Sequence, residues 1–82
     1  MMSSMRHCFL AFDCGATSCR GVLGTLADGE LVAEEVYRFP NQMLELGGRY
    51  YWNVYGIYEH ILNCLTMLGK RGVKLDSIGI DT

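Results

Sequence analysis

An 82-residue chain buries a modest share of its surface and holds little stability in reserve, which argues against a complete enzyme. Half of the residues are hydrophobic, with ten Gly and a single Pro, so a disordered tail is excluded and a buried core is required. Seven Lys and Arg against nine Asp and Glu leave a net charge of -2 and form no basic stripe for nucleic acid, and no apolar run approaches the roughly 18 residues of a membrane span.

Residues 1–7 are expected to be a short lead-in, too polar for a signal peptide, which makes the cytoplasm the expected compartment. Cys8 to Phe12 reads CFLAF, a continuous apolar run that fits a central strand covered on both faces, ending at Asp13. A turn follows through Cys14, Gly15, Ala16, Thr17 and Ser18, where Gly15 can take a positive φ and the two hydroxyls can bond to the backbone. Arg20 to Leu26 reads as a second strand, although Gly21 and Gly24 lower its propensity. Asp28-Gly29 is the strongest hairpin signal in the chain and leads into a third strand, Leu31 to Phe39, with Glu34, Glu35 and Arg38 toward solvent. Pro40 ends it; Asn41 to Arg49 reads as a loop, and Tyr50 to Trp52 as a brief strand.

The period then changes. Val54, Ile57, Tyr58, Ile61, Leu62, Leu65 and Leu68 recur at spacings of three and four, predicting a helix from about residue 54 to 68 with one buried stripe. Asn53 can cap it, Trp52 and Ile57 have the spacing of a hydrophobic staple, and Gly69 and Gly72 bound its end. Six buried stripe residues at roughly 2 kcal/mol each would give about 12 kcal/mol of gross burial. Ser77 to Asp81 alternates as a strand, placed parallel to the first and on its other side. The pattern is α/β: an antiparallel three-strand start, a crossover helix and a parallel fourth strand. Residues 8–82 are expected to form part of a domain whose open sheet edge and helix face need further chain.

The four cysteines form no CxxC pair and have no secretory context, so reduced, mostly buried thiols are expected at Cys8, Cys14, Cys19 and Cys64. The aromatics Tyr50, Tyr51, Trp52, Tyr55 and Tyr58 are expected mainly to pack in the core. His60 reads as a helix-surface or core-edge residue, and His7 has no partner identifiable from spacing.

Asp13 and Asp81 would lie at the carboxyl ends of neighbouring parallel strands, where ligands of α/β folds gather. The N-H groups of residues 15 to 18 with two hydroxyls suit a terminal phosphate beside a hydrated cation held by a carboxylate. An Asx-turn or sheet-end cap explains Asp13 equally well. Neither a GxxxxGK loop nor a GxGxxG fingerprint is present.

The run Asp13-Cys14-Gly15-Ala16-Thr17-Ser18-Cys19-Arg20, with Tyr51-Trp52 and the ending Ile78-Gly79-Ile80-Asp81-Thr82, resembles the opening of carbohydrate kinases of the FGGY family. That resemblance covers roughly residues 8 to 82 and implies part of an actin-like, ribonuclease H-like domain of an enzyme that binds ATP, Mg2+ and a sugar in a cleft between two domains. The implied reaction is phosphorylation of L-rhamnulose at its 1-hydroxyl. Asp13 would position Mg2+ through water; Gly15, Ala16, Thr17, Ser18 and Arg20 would bind the ATP phosphates; Asp81 and Thr82 would approach the sugar. The catalytic base is implied to lie beyond Thr82, so the chain alone would be inactive and would need the remainder of the kinase as its partner. Cys19 stands where the family usually has Gly, and Asn53 where Asp is common. Another carbohydrate kinase of this family, or a non-kinase actin-like ATPase or assembly protein, would share the fold.

Overall fold

The computed structural model describes residues 6–41 and 43–81. Strands β1 (Arg6–Cys14), β2 (Ser18–Ala27) and β3 (Glu30–Pro40) are followed by a small hairpin, β4 (Leu44–Leu46) and β5 (Arg49–Tyr51). Helix α1 (Val54–Lys70) and strand β6 (Ser77–Asp81) complete the order. The main sheet runs β3-β2-β1-β6, with β1 antiparallel to β2 and parallel to β6. The expected topology is therefore present, with β1 reaching back to Arg6 and His7, inside the segment read as a lead-in.

Local chemistry explains most boundaries. Asp28 and Gly29 both take positive φ, 54° and 77°, the requirement of a two-residue turn whose twist matches the strands it joins. Gly47 and Gly48 do the same at 60° and 80°, folding part of the predicted Asn41 to Arg49 loop into the β4–β5 hairpin instead. Asn53 caps α1 by accepting a bond from the Gly56 N-H at 3.1 Å. At the other end Val73 N-H donates to the Leu68 carbonyl and Gly72 N-H to that of Gly69, both at 3.0 Å, and Val73 packs against the core.

The core lies between the sheet and α1. Cys8, Leu10, Phe12 and Cys14 alternate onto one face of β1 and meet Cys19, Leu23, Phe39, Cys64 and Leu68. Coverage of β1 on both faces, expected from CFLAF, is not observed: Ala11 and Asp13 are exposed on the face away from α1. The helix stripe also differs in phase. Cys64 and Leu68 are buried, and Ile57, Ile61, Leu65 and Met67 flank them, while Val54, Tyr58 and Leu62 are exposed, so the 12 kcal/mol figure overstates what α1 buries here. Tyr50, Tyr51, Trp52 and Tyr55 are likewise exposed rather than core residues.

On edge strand β3 the register slips at Gly21/Val22, leaving Val36 as an extra residue so that Val36 and Tyr37 both pack against the core. Sequence reasoning missed Asp76, which latches β6 to β1. Its N-H donates to the Cys8 carbonyl at 2.7 Å, its carboxylate accepts from the Cys8 N-H at 2.9 Å, and His7 Nδ1 lies 3.6 Å away.

The glycines inside β2 have a packing reason. Phe12 and Phe9 sit directly across from Gly21 and Gly24, and a Cβ on Gly24 would come within 2.6 Å of the Phe9 ring. Gly24→Ala is expected to cost about 1–3 kcal/mol in urea unfolding, with much of the loss recovered relative to additivity in a Gly24→Ala/Phe9→Ala pair. Additive losses would show that the ring over Gly24 is not the cause.

Candidate functional site

At one end of the sheet, strand pairing brings four charged residues into a row. Asp13 is the register partner of Arg20 on β2 and of Asp81 on β6, and Arg20 is in turn the partner of Arg38 on β3. Arg20 Nη2 donates to Asp13 Oδ2 at 3.1 Å. The row occupies the face opposite α1, since Phe12 and Cys14 on either side of Asp13 point into the core. With the Asp13 and Arg20 side chains 58% and 49% exposed, their ion pair contributes at most about 1 kcal/mol, and its effect is to orient the carboxylate.

The connection from β1 to β2 lies beside this row. Gly15 does not take the positive φ expected of it; its N-H donates to the Ser18 carbonyl at 2.9 Å and closes the turn. One of the four N-H groups expected to face a phosphate is thus engaged within the turn. Those of Ala16 and Thr17 make no backbone hydrogen bond among the described residues. Ala16 and Thr17 are exposed and Ser18 is half-buried.

Asn41, which sequence reasoning left in a loop, braces the turn from behind. Its N-H donates to the Thr17 carbonyl at 2.9 Å and its Nδ2 to the Gly15 carbonyl at 2.7 Å. Both carbonyls are thereby held away from an approaching anion. Asn41 is buried, and its Oδ1 has no partner among the described residues. It also lines a cavity of about 140 Å3 with Phe39, Asn53, Ile57 and His60. His60 stacks on Phe39 at 4.3 Å and its Nδ1 lies 3.0 Å from the Tyr37 hydroxyl, the core-edge role expected of it.

Cys14 and Cys19 face each other at the neck of the turn and carry a disulfide. This corrects the expectation of four reduced thiols, which considered spacing along the chain and not the pairing that a tight turn imposes. Cys8 and Cys64 remain free and buried, and burial pushes the Cys64 thiol above its usual range.

Among the described residues no three His, Cys, Asp or Glu converge on one point, and no helix is long and apolar enough to cross a membrane. Asp13, with Asp81 beside it, is instead the sparse oxygen set that suits a cation keeping most of its waters. Glu35 is held below the usual carboxylate range by its hydrogen bond to Arg38, and Arg38 is the β3 partner of Arg20, so this pair adjoins the row at the sheet edge. Thr82 lies outside the described residues.

No family model matches the chain. It is 47% identical over 78 residues to a protein named rhamnulokinase from Bacteroides thetaiotaomicron, covering 95% of this chain and 16% of that protein. It is 40% identical over 78 residues to the rhamnulokinase of Oceanobacillus iheyensis, covering 95% of this chain and 17% of the relative. A rhamnulokinase of Yersinia pestis is 39% identical over 75 residues, covering 89% and 16%. The resemblance to sugar kinases therefore extends along nearly the whole chain, which spans about one sixth of the length of these curated relatives.

Proposed function

We propose that this chain is the phosphate-end portion of an ATP-dependent sugar kinase with an actin-like fold, acting on the 1-hydroxyl of L-rhamnulose. The observation that carries the reading is the row Arg20–Asp13–Asp81 beside a short turn whose carbonyls are held back, in a chain similar throughout to rhamnulokinases. Asp13 would hold Mg2+ through water, and Arg20, already paired with it, would be shared between the carboxylate and a phosphate oxygen. Ala16 and Thr17 would offer N-H groups, Thr17 and Ser18 hydroxyls, and Gly15 would shape the turn. Bound there, Mg2+ would bridge phosphate oxygens and offset the charge of the transferring group. Asp81 and Thr82 would lie toward the sugar.

The base and the adenosine pocket are assigned to further chain. Support comes from the surface left bare: Ile78 and Ile80 on β6 and Val54, Tyr58 and Leu62 on α1 are all exposed. The radius of gyration, 15.4 Å, also exceeds the roughly 12 Å of a compact domain of this length. Such surfaces fit a remainder that closes over them, and a cytoplasmic setting would supply the ATP.

A coupled ADP-release assay with L-rhamnulose and MgATP tests the reading. The protein carrying this chain at the length of its relatives is expected to turn over in a sugar-dependent way; the 82-residue chain alone is expected to give no sugar-dependent signal and to self-associate or melt without cooperativity. Turnover with a different ketose only would move the assignment to another carbohydrate kinase. Nucleotide-driven polymerisation without sugar consumption would replace it with an assembly ATPase, and robust turnover by the isolated chain would overturn the division of labour.

A further inference from the structure

We propose that Cys14 and Cys19 form a reversible dithiol–disulfide switch that gates nucleotide binding at the turn between β1 and β2; this regulation rests on the kinase reading above. The two residues are direct cross-strand partners, so no backbone rearrangement is needed to join them. They bracket residues 15 to 18, and the next pair outward along the same ladder is Asp13 and Arg20.

Oxidation by hydrogen peroxide balances in two steps. One thiolate attacks the peroxide O–O bond, giving a sulfenic acid and a hydroxide that takes up the proton the thiol released and leaves as water. The second thiol sulfur then attacks the sulfenic sulfur, the S–S bond forms, and the displaced hydroxide takes the remaining thiol proton as a second water. A dithiol reductant reverses the bond by exchange.

The disulfide acts on the turn beside it. In the oxidised form the neck is covalently tied, the Gly15 N-H is committed to the Ser18 carbonyl, and Asn41 holds the Gly15 and Thr17 carbonyls. Reduction removes the tie and leaves the bond from the Gly15 N-H to the Ser18 carbonyl for a phosphate to displace, so the turn can aim that N-H while Asn41 still holds the Gly15 and Thr17 carbonyls back. Cys14 and Cys19 are 3% and 0% exposed, so reagents reach them when the turn opens, which is also the motion a phosphate requires. Nucleotide and reductant therefore favour the same state, and each stabilises the other's.

The test uses the full-length protein in a peroxide-oxidised and a dithiothreitol-reduced form, with thiols trapped by alkylation. Trypsin cleaves after Arg6 and Arg20, so Cys8, Cys14 and Cys19 fall in one peptide. In the oxidised form that peptide carries a single label, on Cys8. The reduced form is expected to bind MgATP about tenfold more tightly, reversibly. Saturating MgATP should correspondingly raise the midpoint potential of the pair by about 30 mV. Cys19→Ser is expected to keep the reduced-state turnover and lose its sensitivity to peroxide; the wild-type comparison stands even if that variant fails to fold. Full labelling of Cys14 and Cys19 after peroxide, equal MgATP affinity in both forms, or a peroxide-sensitive Cys19→Ser would overturn the switch. Absence of sugar-dependent turnover in both forms would overturn the kinase reading alone, because the potential shift needs no sugar and still decides the switch.

Discussion

Asp13→Asn in the full-length protein is expected to lower kcat with L-rhamnulose roughly 10- to 100-fold, the usual effect of losing a group that orients a metal through its outer shell. The amide keeps the shape and can still accept from Arg20, while the charge that would hold hydrated Mg2+ is gone. The fold should survive: the Asp13–Arg20 pair is half exposed and contributes at most about 1 kcal/mol. A KM for ATP–Mg2+ that rises as kcat falls, with the thermal melt unchanged, is the expected signature. An unchanged kcat at saturating ATP, sugar and Mg2+ would remove Asp13 from the metal site, and loss of folding would return it to the role of a sheet-end cap.

Phe12→Ala should have the largest effect on stability. Phe12 is 1% exposed, lies against Phe39 with ring centroids 6.5 Å apart, and covers the bare backbone of Gly21. Truncating a buried Phe costs about 3–5 kcal/mol. That is a large part of the roughly 5–15 kcal/mol available to a whole domain. In the full-length protein a lowered denaturant midpoint is expected, whereas Glu30→Gln at the exposed hairpin should stay within about 0.5 kcal/mol. Similar midpoints for both variants would mean that the layer between β1 and α1 is not the core of this region.

The antiparallel triplet, the helix and the parallel strand were legible because each is signalled locally. Asp28-Gly29 dictates a turn, the three-four spacing dictates a helix, and a long connection permits parallel pairing. The same pairing made Asp13 and Asp81 readable as one end of the sheet, whereas the place of Arg20 across from Asp13 emerges only with the register of β2. Tertiary partners were not readable. The apolar arc of α1 is wider than one stripe, so spacing alone cannot say that Cys64 faces the sheet while Tyr58 and Leu62 do not. Asn41 and Asp76 look like ordinary loop polars until the strands they brace are in place. Cys14 and Cys19 are five positions apart along the chain but opposite one another across the turn, a proximity that no spacing motif encodes.

The latch between Cys8 and Asp76 joins residues 68 positions apart, whereas β1, β2 and β3 are linked by short turns. Closing that long loop costs more chain entropy than either hairpin, so the three-stranded meander can assemble well before its fourth member arrives. On the ribosome, where the N-terminal end emerges first, the β6 side of β1 stays open until synthesis has passed Asp81. During that interval the backbone of the most apolar strand is a template for any passing strand, including that of a neighbouring nascent copy. The late pairing of β6 makes the speed of elongation through α1 a determinant of how much of this protein escapes aggregation.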